Sequence, residues 1–244
     1  MADAADFDVA KVRLPEAQVG EWHGLVFAAL GNVPPLVEVL DGIAERCAAH
    51  PLGNYVFANR ISYDIACNWK AYVDNFLEGY HLPHVHPELN RLLDYRSYVT
   101  ETRRWHSLQY SPIEDRATTG IYAGGEALYW YVWPNTMLNM LPGRLQTNRV
   151  LPLDAERCRV EFDYYYAADD PTRDALRAAD QAFSDTVQHE DIAICEQVQR
   201  GLASGSYVAG RLNPRRESGV HHFHEMLRAA YRAQRTASAE TGVA

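Results

Sequence analysis

Residues 157–166, RCRVEFDYYY, alternate so regularly that little freedom remains in what they can form. Cys158, Val160, Phe162 and Tyr164 point one way, and Arg157, Arg159, Glu161 and Asp163 the other. This is the period of a β-strand with one wet face, and a sheet of such strands needs a cover for its apolar side. The segment from Pro171 to Leu202 is long enough to provide one as a helix, with Phe183, Val187, Ile194, Val198 and Leu202 in a stripe and Gly201 and Gly205 as stop signals. The period of two extends over residues 96–166, punctuated by SP, GG, WPN and PG, as in a run of antiparallel strands. Upstream, WHGLVFAAL is weakly strand-like, and PPLVEVLDGIAERCAA from Pro34 carries apolar residues at 36, 39, 40 and 43, the spacing of an amphipathic helix. NWKAYVDNFLEGYH places Trp69, Tyr72, Val73, Phe76, Leu77 and Tyr80 on that spacing too, in a helix that Pro83 is expected to end. There is no internal repeat, low-complexity segment or interdomain linker, so the pattern predicts one main α+β domain.

Composition narrows the function. With 244 residues, 47% of them hydrophobic, the chain can bury a full-sized core. A formal net charge of −9, with no basic run interleaved with aromatics, argues against nucleic acid as a partner. The longest apolar stretch, GLVFAAL from Gly24, is far short of the roughly 20 residues a membrane span needs. MADAADFD is unlike a signal peptide, so a cytoplasmic location is the default expectation, with Cys47, Cys67, Cys158 and Cys195 as reduced thiols.

The chemistry concentrates in NFLEGYHLPHVHPEL, residues 75–89. On a helix Glu78 and His81, three apart, project from one side. His86 would lie about 140° around from His81 on a continuous helix. A break at Pro83 lets the chain fold back and brings the two imidazoles together; His84, between them, is expected at the surface or behind the ligands. A histidine pair alone is more often a hydrogen-bonded core feature than a ligand pair. HEDIAICEQVQRGL adds Asp191 in register with the apolar stripe, where a carboxylate is costly unless a partner or a cation meets it. The competing reading is an Asp bonded to Trp69, Tyr72 or a buried amide. Glu190, one stripe away, is expected to be solvated. Two histidines and one carboxylate suit non-haem Fe(II) and O₂ activation, whereas zinc on the same set would make a hydrolase.

The string NWKAYVDNFLEGYHLPHVHPEL resembles the iron-binding segment of Rieske-type non-haem iron oxygenases, the ring-hydroxylating α subunits and their monooxygenase relatives. WPNTMLNMLPGRLQTNRVLPL resembles that family's central strands, and EDIAICEQVQRGLASGSY with GRLNPRRESGVHHFH its closing segment; together the likeness runs from about Trp22 to His224. It implies a helix-grip fold, a curved antiparallel sheet around a long C-terminal helix. It also implies Fe(II) on His81, His86 and Asp191, with Glu78 linking His81 to a cluster-ligating histidine of a neighbouring subunit. Asn75 would approach the open side of the iron. The domain reading that follows is a remnant of the last Rieske-domain strands over residues 1–31, a catalytic domain over 32–236 and a disordered tail over 237–244.

The family's C-x-H and C-x₂-H cluster ligands are not both present. No C-x-H occurs, and Cys47-Ala-Ala-His50 falls in a predicted helix. The resemblance therefore implies a [2Fe–2S] cluster supplied in trans, NAD(P)H oxidised by a separate reductase, and a homotrimer or hetero-oligomer. The substrate would be a small organic molecule, aromatic rings included, that is mono- or dihydroxylated or dealkylated. Tyr129, Trp133, Met137, Leu138 and Met140 are candidates for lining its pocket. His221, His222 and His224 are read as the structural opening of the last helix. A helix-grip protein that binds an apolar ligand without redox chemistry is the competing expectation.

Overall fold

The computed structural model describes residue 8 and residues 12–113, 122, 124–168 and 174–241. Its frame is a seven-stranded antiparallel sheet built from β3 (Tyr55–Ile65), β4 (Val99–Thr102), β5 (His106–Pro112), β6 (Glu126–Val132), β7 (Thr136–Leu141), β8 (Arg144–Pro152) and β9 (Cys158–Ala167), in the order β3-β9-β8-β7-β6-β5-β4. The alternation read from residues 157–166 holds, with Cys158, Val160, Phe162 and Tyr164 buried. Strand β3 was not anticipated. It is an edge strand whose register shifts at Phe57/Asn59, and the bulge breaks the alternation that would have revealed it.

Both faces of the sheet are covered. On one lie α3 (Trp69–Phe76), α6 (Asp174–Ala203) and α7 (Ser218–Thr241), sharing a core with Tyr131, Met137, Val150, Val160 and Tyr164. On the other, Leu128, Trp130, Leu138 and Met140 pack under the hairpin of β1 (Ala17–Trp22) and β2 (Leu25–Leu30) and under two short helices, α1 (Leu36–Val39) and α2 (Ile43–Arg46). The hairpin turns at His23 and Gly24, both at positive φ, as a two-residue turn between twisted strands requires. The single helix expected from Pro34 is divided because Gly42 adopts φ 77° between α1 and α2.

Helix α6 has the expected length, and its predicted start at Pro171 lies outside the described residues; Gly205, at φ 71°, follows its end. Its inward face keeps part of the predicted apolar stripe, with Phe183 and Ile194 packed against the core and Val187 in the cavity beside the histidines. Val198 and Leu202 are exposed, while Asp180, Gln188 and Cys195 are buried. The rest of the face against the sheet is polar, and those side chains find partners there: Tyr164 Oη donates to Ser184 Oγ at 2.9 Å and Tyr72 Oη to Gln188 Oε1 at 2.8 Å. Helix α7 extends into the segment expected as a tail, and residues 242–244 lie outside the description.

The histidines 221, 222 and 224 open α7 as expected, and His224 Nε2 meets Asp74 Oδ1 at 2.9 Å. That carboxylate, outweighing partial burial, holds the His224 imidazole above its ordinary value. A raised folded-state value means that the pairing stabilises the fold fully below the unfolded value and loses that effect as pH rises through the folded one. Asp74→Asn is therefore expected to lower the denaturation midpoint more at about pH 5.5 than at about pH 8.5. An equal loss at both pH values would show that the ion pair is not what couples α3 to α7.

Candidate metal centre

Helix α3 starts at Asn68, whose side chain accepts from the Lys70 N–H at 3.0 Å, and stops at Phe76, two residues before Glu78. Glu78 and His81 therefore do not share a helix face as expected; they sit in the turn that follows. Pro83 does not terminate α3 but stands in the first turn of a new helix, α4 (Leu82–Val85), where a missing N–H costs nothing. The turn is held by Glu78 itself: Oε2 accepts from the Tyr80 N–H at 2.7 Å and the His81 N–H at 3.2 Å, while Oε1 lies 2.5 Å from His81 Nδ1. Gly79 is required here, since a Cβ would stand 2.6 Å from the Tyr98 ring. His86 occupies the junction between α4 and α5 (Pro87–Leu92) and is 1% exposed. His84 is at the surface, as one of the two expected placements had it.

Across the cleft α6 presents two carboxylates. Glu190 is not solvated as expected: its Oε2 lies 2.7 Å from His86 Nδ1. Asp191 Oδ1 lies 3.0 Å from His86 Nε2 and 3.7 Å from His81 Nε2, and the two Nε2 atoms are 3.2 Å apart. Asn75 donates from Nδ2 to Asp191 Oδ1 at 2.6 Å, so it holds the carboxylate. Trp69 and Tyr72 are not hydrogen-bonded to Asp191; the Tyr72 hydroxyl goes to Gln188.

The tautomers follow from the outer partners. Each Nδ1 faces a carboxylate, so with a metal ion bound each Nδ1 would keep its proton and each Nε2 would offer a lone pair. Two imidazole Nε2 atoms and a carboxylate oxygen thus converge, a contact that a bound metal ion, or a proton on His86 Nε2, would satisfy. For bonds of about 2.1 Å, ligand atoms at right angles stand about 3.0 Å apart, close to the separations seen here. Among the described residues, His81, His86 and Asp191 are the only group of three or more such side chains whose ligating atoms all lie within 4.8 Å of one another. Burial pushes the His86 imidazole down, but Asp191 and Glu190 together outweigh it and raise it above its ordinary value. Glu190→Ala is expected to weaken Co(II) or Fe(II) binding about 10- to 100-fold in a chelator competition; unchanged affinity would assign Glu190 to the surface after all.

The centre opens on a cavity of about 100 Å³, with Tyr72, Phe76, Tyr98, Tyr129 and Asn139 in its wall. Of the five residues expected there only Tyr129 belongs. Leu138 and Met140 point to the opposite face of the sheet, and Met137 and Trp133 pack in the core around Phe223. The missed lining residue, Asn139, is the cross-strand partner of Tyr129, which places the two on one face.

A helix-grip frame that converges two histidines and a carboxylate on one point is a frame that could hold one metal ion. The chain belongs to the ring-hydroxylating α-subunit catalytic-domain family, whose model matches residues 52–233. It is 39% identical over 171 residues to choline monooxygenase, chloroplastic, of Arabidopsis thaliana, covering 69% of this chain and 40% of that protein. It is 29% identical to the carnitine monooxygenase oxygenase subunit of Escherichia coli K12, covering 92% of this chain and 64% of that one. A solved quaternary ammonium Rieske monooxygenase superposes with TM-score 0.78 at 25% identity, over 93% of this chain and 65% of that chain. The chain thus spans about 40–64% of the length of these curated relatives. No helix among the described residues is long and apolar enough to cross a membrane.

Proposed function

We propose that this chain is the catalytic part of an oxygenase that inserts one atom of O₂ into a small cationic substrate of the quaternary ammonium type. The convergence of the His81 and His86 Nε2 atoms and Asp191 Oδ1 on one point carries the reading. Iron(II) held there would supply O₂ activation. His81, His86 and Asp191 would hold it; Glu78 and Glu190 fix the two imidazoles, and Asn75 fixes the carboxylate. The residues fit that ion: donor types and mutual distances suit a divalent metal with open positions.

The wall around those positions supports a cationic substrate. Glu78, Glu190 and Asp191 bring three negative charges to the centre, one more than a divalent ion neutralises, and no Lys or Arg among the described residues lines the cavity. Tyr72, Phe76, Tyr98 and Tyr129 surround it with ring faces that attract ammonium groups. A cation therefore fits this cavity better than the neutral aromatic ring the family name suggests, in keeping with relatives named for choline and carnitine.

The overall reaction, R–H + O₂ + 2 e⁻ + 2 H⁺ → R–OH + H₂O, requires two electrons from outside. Glu78 would relay them: its Oε1 already bonds His81 and has a second lone pair for a donor on another subunit. The [2Fe–2S] cluster and the NAD(P)H-oxidising reductase would lie beyond these 244 residues, in an oligomer. The hairpin β1–β2 would be the end of the cluster-bearing unit. The test is a turnover assay under ¹⁸O₂ with iron-loaded protein, a reduced Rieske protein added in trans, and choline or carnitine. One labelled oxygen in the product is expected. Ligand binding without O₂ uptake would instead favour a binding protein.

A further inference from the structure

The face of the sheet that looks toward α6 carries an unbroken polar row. Gln109 pairs with Tyr129 across β5–β6, Tyr129 with Asn139 across β6–β7, Asn139 with Gln146 across β7–β8, and Gln146 with Tyr164 across β8–β9. Asn59 on β3 extends it beyond Tyr164. Such a row beneath a helix is costly unless its members are bonded. At the β3–β9–β8 end they are: Asn59 and Gln181 exchange hydrogen bonds, and Ser184 links Tyr164 with Gln146. Toward β7–β5 the satisfaction stops. Asn139 Oδ1 and Gln109 Oε1 are enclosed and have no hydrogen-bond partner among the described residues.

The unsatisfied stretch of the row falls at the metal cavity. Asn139 is 9% exposed and, like Tyr129, forms part of the cavity wall that also contains His81, His86 and Asp191. Gln109 is tied to the same wall through its Nε2–H, which donates to the Phe76 carbonyl at 2.5 Å. A side chain in the wall of a cavity beside a reactive centre, with an amide oxygen that no protein group among the described residues satisfies, is what a site built for a polar substrate group leaves open when empty.

We infer that the Asn139 amide, set beside Tyr129 on the cavity wall, is a specificity-determining group that recognises a hydroxyl on the substrate. The inference rests on the cation pocket proposed above and adds a second recognition point to it. A hydroxyl is the group that suits this amide in either orientation. Amide oxygen and nitrogen exchange places by a half-turn of the side chain, and a hydroxyl donates to the one and accepts from the other. Burial pushes the Tyr129 hydroxyl up to about 12, so that it too stays neutral at working pH. The aromatic rings would hold the onium end while the amide fixes the other end, so the pair selects ligands by having both.

The test compares two probes of nearly one shape, choline and n-propyltrimethylammonium, in which a methyl replaces the hydroxyl. Binding to the Co(II)-loaded protein is read by calorimetry and by the perturbation of the cobalt visible spectrum. The expected result is that wild type prefers choline roughly 10- to 100-fold. In Asn139→Leu the preference is expected to vanish because choline weakens while the propyl compound holds or improves. Tyr129→Phe, which removes only a hydroxyl, provides a second variant if the leucine disturbs the sheet, and should reduce the preference without abolishing it. Equal wild-type affinity for the two probes would overturn the role of the amide, as if a buried water filled it, while leaving the cation pocket standing. Failure of both probes to bind would overturn the cation pocket and the inference with it.

Discussion

Asp191→Ala is expected to empty the centre: iron falls from one ion per chain to near zero, and turnover drops by roughly 10³-fold or more, several kcal/mol of lost activation. The reason is charge as much as geometry. His81 and His86 are neutral donors, so Asp191 is the one anion among the three converging atoms. Its Oδ1 stands within 3.7 Å of both Nε2 atoms, and no other carboxylate oxygen of the described residues joins that group. The fold should survive, because Asp191 is only partly buried and, apart from the two histidine contacts, its side-chain hydrogen-bond partner among the described residues is Asn75. Iron analysis and metal-free melting curves check both halves. Retention of a full complement of iron would remove Asp191 from the ligand set.

Asp180→Ala is expected to produce the largest loss of stability, about 3–5 kcal/mol, because it leaves a buried guanidinium without its counter-charge. Asp180 Oδ1 accepts from Arg144 Nη1 at 2.8 Å and from the Tyr122 hydroxyl, and Oδ2 accepts from the Tyr166 hydroxyl at 2.5 Å. Asp180 is 3% exposed and Arg144 5%. Burial pushes the hydroxyls of Tyr122 and Tyr166 well up, so both remain donors to the carboxylate. The cluster pins the first half of α6 to β8 and β9, and the same helix carries Asp191 eleven residues, or about 16 Å, further on. Urea unfolding of the metal-free protein measures the effect. A shift under about 1 kcal/mol would mean that the network relaxes when the carboxylate is lost.

How much of this was legible in the sequence depends on which force wrote the pattern. Hydrophobic alternation wrote β9 and much of the sheet, and these are read correctly. The histidine spacing around Pro83 marked the metal site, although the means differ: the two imidazoles meet because Glu78 folds a turn about its own carboxylate, not because a helix face is shared. Hydrophobicity placed Phe183, Val187 and Ile194 of α6 inward but missed Asp180 and Gln188, because the sheet beneath is polar in the middle. A side chain that pairs with Gln146 or Tyr72 carries no apolar signal. The same error put Glu190 in solvent, since nothing along the chain announces His86 as its partner. Asn139 was missed for a simpler reason: the five residues expected in the pocket mixed both parities of the strands, and only odd positions of β6 and β7 face the metal. Taking Tyr129 as the reference and stepping across the strand pair would have found it.

The account depends above all on one ion held jointly by His81, His86 and Asp191. Crystals of the Fe(II)-loaded protein, with anomalous data collected on either side of the iron absorption edge, test it most directly. The predicted result is a single iron peak per chain within bonding distance of His81 Nε2, His86 Nε2 and Asp191 Oδ1, with Glu78 and Glu190 on the far nitrogens. Iron found elsewhere, or bound by His224 and Asp74 with the three side chains left metal-free, would contradict it.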